Sequence, residues 1–160
     1  MSNLAGSEIC CFLKAGDQKE YLVGTINYTN SYIEFSKPRT IEAYIYDLPN
    51  FGTLNTLEGV KSLKELHSEA ILGRRVIALH SRAPTFNPIT KSYSLNFSGR
   101  AKVKSIKNCI LECASHPGID TVLFAKVSTN EYVLDFVNPV YPFIAFAIAL
   151  TNFNGKIINE

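Results

Sequence analysis

The chain has 160 residues, 46% of them hydrophobic and 19% charged, which suits a single globular domain spanning 1–160 and excludes disordered, coiled-coil and collagenous classes. Sixteen basic against fourteen acidic residues leave a net charge of +2, so any polyanion-binding surface has to be local. Four cysteines do not make a disulfide framework, and Met1–Gly6 has neither the charged start nor the apolar run expected of a secretory signal.

Most of the chain alternates with period two, the strand pattern. Strands are predicted at Ile9–Leu13, at Glu20–Tyr28 and around Ile41, Ala43 and Ile45, separated by turn chemistry such as Ala15-Gly16-Asp17 and followed by Asp47–Gly52. Leu57–Leu72 is predicted to be an amphipathic helix: Leu57, Val60, Leu63, Leu66 and Ala70 recur at three- or four-residue spacing, with Lys61, Lys64, Glu65 and His67 between them. Further strands are predicted at Arg75–His80, Ser92–Ser98, Ala101–Cys113, Thr121–Ser128 and Glu131–Val137. Turns are expected at Pro84–Pro88, Ser98-Gly99 and His116-Pro117-Gly118, and the short loop Ser128–Asn130 predicts a hairpin.

Tyr141–Phe153 breaks the alternation. Phe143 to Leu150 cover every face of a helix, Pro142 suits its first turn, and Asn154-Gly155 provides a stop. No charged residue lies between Asp135 and Lys156, yet the apolar run Val140–Leu150 would rise only about 16 Å as a helix, against about 30 Å of bilayer hydrocarbon. A core helix is therefore expected rather than a membrane span. A helix apolar all round must be surrounded, which in a chain of strands predicts a mainly β fold: a closed or nearly closed antiparallel barrel around a hydrophobic C-terminal helix. The small residues Ala145, Ala147 and Ala149 suit a narrow lumen, and a Phe146→Asp change is expected to abolish folding.

Two spaced segments resemble the signatures of the tubby C-terminal domain family. Phe97-Ser98-Gly99-Arg100 followed by Ser105-Ile106-Lys107-Asn108 is similar to the family's Phe-x-Gly-Arg-Val start leading into Ser-Val-Lys-Asn-Phe. Ala145 to Lys156, closing on Glu160, resembles the family's terminal Ala-Phe-Ala-Ile-x-Leu-Ser-Ser-Phe-x-x-Lys segment. Leu134-Asp135-Phe136 with Pro139, and the stretch from Pro84 to Phe97, fit between them. The resemblance covers Arg75–Glu160. Residues 1–74 are divergent and shortened, matching only at Tyr21-Leu22-Val23-Gly24, Tyr46-Asp47, Ser62-Leu63-Lys64 and Ile71-Leu72-Gly73.

The resemblance implies the barrel just described, with no catalysis and no cofactor. It also implies a module that binds phosphatidylinositol 4,5-bisphosphate at the inner face of the plasma membrane. Members act as cytoplasmic adaptors that traffic membrane-protein cargo, some towards cilia and some to the nucleus. A bisphosphate headgroup needs convergent cations. The family's Gly-Lys-x-Arg strand falls here on Thr25 and Asn27 after Gly24, its Thr-Leu-Arg cation on Lys64, and its upstream Asn nearest Glu8. Lys37 and Arg39, a few residues on, are the cations available to replace the missing pair. The matching stretch is shorter than the family's domain, so fewer strands close around the helix or one side stays open. An open side would expose apolar surface for a partner, a second copy included.

Other patterns carry less. Arg100, Lys102 and Lys104 share one face of the predicted strand, with Lys107 following after a small phase change. They read as an anion-binding stripe for lipid phosphate or nucleic acid, or as the solvated outer face of a barrel strand, the reading favoured by simple alternation. With a net charge of +2, nucleic-acid binding is the weakest reading. Cys109-x-x-x-Cys113 with His116, and Cys10-Cys11 elsewhere, invite a zinc reading. A four-residue spacing on a strand spans about 13 Å, too far for one ion, so buried free thiols are expected and no metal. His67, His80 and His116 show no evident nucleophile or carboxylate partner, and no phosphate-binding glycine loop or Gly-x-Ser-x-Gly turn is present. Two functions remain: a phosphoinositide-associated adaptor with a degenerate headgroup site, and a protein-interaction domain that has lost lipid binding.

Overall fold

The structure, a computed structural model, describes residues 8–14, 20–29, 39–47, 63–68 and 76–153. The alternating segments become strands β1 (Glu8–Lys14), β2 (Glu20–Thr29), β3 (Thr40–Tyr46), β4 (Val76–Ser81), β5 (Thr85–Asn87), β6 (Ser92–Ser94), β7 (Cys109–Cys113), β8 (Val122–Lys126) and β9 (Tyr132–Phe136). Two helices accompany them, α1 (Leu63–Ser68) and α2 (Pro142–Thr151). Seven strands form one antiparallel sheet in the order β1-β2-β3-β4-β7-β8-β9, and β5 pairs with β6 as a separate hairpin. The expected hairpin at Ser128–Asn130 joins β8 to β9.

Register separates the two faces of the sheet. Ile26, Ala43, Leu79 and Cys113 are successive cross-strand partners, and all four are buried in the main core. One position along, Asn27, Glu42, His80 and Glu112 are partners in the same way and form a polar row on the opposite face. Between β1 and β2 the register shifts at Cys11/Phe12, leaving Val23 as the extra residue of a bulge. There Gly24 faces Cys11 so closely that an added Cβ would meet the Cys11 Cβ at 3.4 Å.

Helix α2 lies on the inner face. Tyr141 is extended at its N-cap and Pro142 opens the helix, as expected. Ile144, Ala145, Ile148 and Ala149 are buried against Val23, Ile26, Leu111 and Phe124 of the main core. Each fully buried aliphatic side chain there contributes about 1.5–3 kcal/mol relative to exposure. The outer face has two covers. Leu63 of α1 packs on Leu22 and Tyr46, while Leu95, Phe97 and Ala101 pack on Ile110, Leu123 and Ala125.

The expectation of a closed or nearly closed barrel is corrected. Among the described residues β1 and β9 end the sheet and do not pair with each other, so it is a curled, open half-barrel. Helix α2 is accordingly wrapped on one side only: Phe143 is 41% exposed, Phe146 59% and Leu150 52%. Phe146 therefore lies outside the core, and the expected collapse of Phe146→Asp loses its reason. The predicted strand Ala101–Cys113 begins only at Cys109. Residues 101–108 are irregular, because the N–H groups of Lys102 and Val103 both donate to the single carbonyl of Lys126. Ser92–Ser98 is a strand only to Ser94, and the expected turn Pro84–Pro88 contains β5. Of the predicted helix Leu57–Leu72, residues 63–68 are helical; the rest, like the Asn154-Gly155 stop, lies outside the described residues.

Candidate functional site

Three of the five residues singled out for a headgroup share the outer face of the sheet. Thr25 is buried and its Oγ1 accepts a hydrogen bond from the Leu63 backbone N–H at 3.1 Å, fixing the start of α1 over β2. Asn27 lies two residues on; its Nδ2 is buried and has no partner among the described residues. The neighbour of Leu63, Lys64, reaches back over β3, where its Nζ donates to Glu42 Oε2 at 3.1 Å and lies 5.9 Å from the centroid of the Tyr44 ring. Asn27 has Glu42 of β3 as its cross-strand partner on one side and Glu8 of β1 on the other.

The electrostatics of this cluster are mixed rather than cationic. The hydrogen bond to Glu42 raises the Lys64 pKa against a smaller opposing effect of desolvation, with Glu8 adding a further favourable charge. Lys64 is thus held as an ammonium between carboxylates, with its side chain 52% exposed. Arg39 goes elsewhere. It turns to the inner face, lies 4.7 Å over the Tyr28 ring, and hydrogen-bonds Asn152 Oδ1 beyond the end of α2. Lys37 lies outside the described residues.

The proposed basic stripe is not one strand face. Arg100 folds onto β9, where Nε and Nη2 grip the two carboxylate oxygens of Asp135 at 2.6 and 2.5 Å. Lys102 and Lys104 are exposed in the irregular segment. Lys107 places its Nζ 5.6 Å from the centroid of the Phe153 ring. Sequence reasoning missed two participants. Glu42 was hidden because its pairing with Lys64 joins elements far apart in the chain. Lys126, whose Nζ lies 6.0 Å from the Tyr132 ring centroid, sits on a strand whose alternation does not distinguish it.

The histidines are less isolated than expected. His80 Nε2 is 3.9 Å from Glu112 Oε2, in a group where Glu112 also bonds Arg82, and Arg82 in turn meets Asp120 Oδ1 at 2.5 Å. His116 Nδ1 hydrogen-bonds Ser115 Oγ at 2.8 Å, and the same hydroxyl is 3.0 Å from Cys113 Sγ. This Ser-His contact joins sequence neighbours in the turn that follows β7, where Cys113 and His116 form a bridge. Cys109 and Cys113 are buried on β7, as expected from their strand spacing.

A curled antiparallel half-barrel holding an apolar helix, with an adjacent short helix pinned over the second and third strands, is consistent with a tubby-type β domain left open on one side. The chain belongs to the Tub family, which it matches over residues 4–155. It is 41% identical over 85 residues to Protein king tubby 2 of Aedes aegypti, a match covering 53% of this chain and 21% of that protein. It is similarly 40% identical to Protein king tubby of Anopheles gambiae and 39% identical to that of Drosophila sechellia, each over 53% of this chain and 19% of the relative. The match thus spans about a fifth of the length of these curated relatives. Family membership supports a non-enzymatic tubby-like domain. Among the described residues no helix is long and apolar enough to cross a membrane.

Proposed function

We propose that this chain is a non-enzymatic peripheral membrane adaptor, which engages the headgroup of phosphatidylinositol 4,5-bisphosphate weakly through Lys64. The supporting observation is that Lys64 of α1 lies over the sheet face that carries Thr25 and Asn27 of β2. By the resemblance, those are the positions onto which the family's headgroup residues fall. Only one of the three is a cation, and it must leave Glu42 to meet a phosphate, so affinity is low. The inner plasma membrane is the compartment this reading implies, with cargo proteins bound on other surfaces.

A second reading has its own support. The Lys64–Glu42 pair, with Glu8 nearby, suits a protein-interaction domain from which selective lipid binding has been lost. Sedimentation with phosphatidylcholine vesicles, with and without the bisphosphorylated lipid, separates the two. The adaptor reading expects extra pelleting with the lipid, more for Glu42→Gln and none for Lys64→Gln. Equal pelleting of the parent chain on both vesicle types rejects it and leaves the protein-interaction domain.

A further inference from the structure

A second surface lies where α2 ends. Strand β3 starts, β7 starts, β8 ends and β9 starts at this end of the sheet. Here the irregular segment 101–108 is tied to β8 at several points. Lys102 and Val103 donate to the Lys126 carbonyl at 3.0 and 3.2 Å, and Asn108 Oδ1 accepts from the Lys126 N–H at 2.8 Å. The Lys126 ammonium faces Tyr132, Tyr132 and Phe153 are 5.1 Å apart edge to face, and Lys107 covers Phe153. Lys107 and Lys126 therefore lie against the aromatic cluster at the end of the helix, and Lys102 and Lys104 are exposed in the segment that is hydrogen-bonded to Lys126. Among the described residues none of them is in an ion pair. The carboxylate of the adjoining β8–β9 turn, Glu131, is engaged by the Ser128 hydroxyl at 2.8 Å.

Apolar side chains of the same segment and of the helix end are exposed beside these lysines. Ile106 is 69% exposed, and Leu150 and Phe153 are about half exposed. Exposed aliphatic and aromatic side chains beside ammonium groups that have no ion pair among the described residues suit a water–lipid boundary. A polyanion in water would use the lysines and leave Ile106, Leu150 and Phe153 wet.

We infer that this end of the molecule is an interfacial membrane-contact surface: Ile106, Leu150 and Phe153 enter the headgroup layer while Lys102, Lys104, Lys107 and Lys126 meet anionic phospholipid. The occupant is a bilayer carrying phosphatidylserine-type charge, recognised by charge density and not by headgroup identity. The inference goes beyond the headgroup reading, because it needs no bisphosphate and does not use Lys64.

The test is partition of the full chain onto phosphatidylcholine vesicles with and without phosphatidylserine, in the absence of any phosphoinositide. Binding is expected with phosphatidylserine and not without it. Lys102→Gln with Lys104→Gln is expected to weaken it about twenty-five-fold, from about fivefold per lysine at an anionic surface. Ile106→Ser is expected to weaken it about tenfold. Both changes are at exposed positions, so unfolding curves matching the parent verify that binding alone is altered. Lys64→Gln is expected to leave phosphatidylserine binding unchanged, and a parent chain that shows no bisphosphate increment overturns only the Lys64 reading. The inference is overturned by phosphatidylserine binding that survives both changes, or by equal partition onto neutral vesicles. Binding that appears only with the bisphosphate, or retention on duplex DNA without vesicle binding, overturns it as well.

Discussion

Arg39 donates from Nη2 to Oδ1 of Asn152, joining the start of β3 to the residue that ends α2, 113 positions later in the chain. Asn152 is fully buried, and its own Nδ2 donates to the Ile148 carbonyl at 3.0 Å. Tyr28, under the guanidinium, hydrogen-bonds Thr151 with its hydroxyl. A cation is thereby placed at the negative end of a helix that carries no basic residue in its last turn. Arg39, expected as a substitute cation for lipid, instead ties the end of the helix to the sheet.

Arg39→Ala should therefore lower stability by about 1.5–3 kcal/mol, the range for hydrogen bonds to charged groups. Arg39→Lys should restore only part, since an ammonium lacks the planar fork and stacks less well on Tyr28. The shift in the urea midpoint at constant slope measures this. An unchanged midpoint for Arg39→Ala would show that the contact contributes nothing.

The two faces of α2 should respond oppositely to charge. Phe146→Asp is expected to stay folded within about 1 kcal/mol of the parent, because position 146 is more than half exposed. Ile148→Asp, at a fully buried position, should prevent cooperative folding. Thermal melts followed by circular dichroism compare them, and two equally damaging substitutions would mean that the helix is enclosed after all.

Acid should loosen the outer polar row at Glu112. The hydrogen bond from Arg82 lowers its pKa, with burial opposing and the Gly118 N–H assisting. The folded value lies below the unfolded one. The stabilisation is thus complete above the ordinary glutamate range, near about 4.3, and is lost as pH falls through the lower folded value. Glu112→Gln should be less stable at neutral pH and lose less on acidification. Parallel stability curves for the two chains from neutral to acid pH would contradict this assignment.

Alkali acts on the inner face. Burial pushes the Cys109 thiol up to about 12 and, opposed by the Thr151 hydrogen bond and Arg39, the Tyr28 hydroxyl also to about 12. Both folded values exceed the unfolded ones, so these groups favour folding below the ordinary range and lose that effect as pH rises towards 12. Cys109 should resist thiol reagents at mildly alkaline pH until the chain unfolds. Labelling of native Cys109 at the rate of a free cysteine, located by peptide mass, would refute its burial.

Much of the sheet was legible because one face of each strand is buried. In β3 the alternation of side chains reports a real difference between core and outer face, whereas Leu22 of β2 and Leu123 and Ala125 of β8 are buried on the outer face as well. The same pattern misleads at Ala101–Asn108: Val103 is exposed, and the Asn108 side chain takes the ladder position that a neighbouring strand would fill. Helix α2 was legible as an element, but an apolar composition on every face cannot tell which side is covered. That depends on whether β1 meets β9. At the candidate site Lys64 could be picked out by resemblance, whereas its neutralising partner Glu42 is set by the packing of α1 on β3.

The half-wrapped helix is the relationship on which the rest depends, since it positions both Arg39 and the exposed helix end beside Lys107 and Lys126. Single cysteines placed in turn at 143, 144, 146, 148 and 150, with labelling rates resolved by peptide mass, read it directly. Fast labelling at 143, 146 and 150 with strong protection at 144 and 148 is the predicted pattern. Uniform protection would indicate a closed sleeve, uniform fast labelling a detached helix, and either would contradict the open half-barrel.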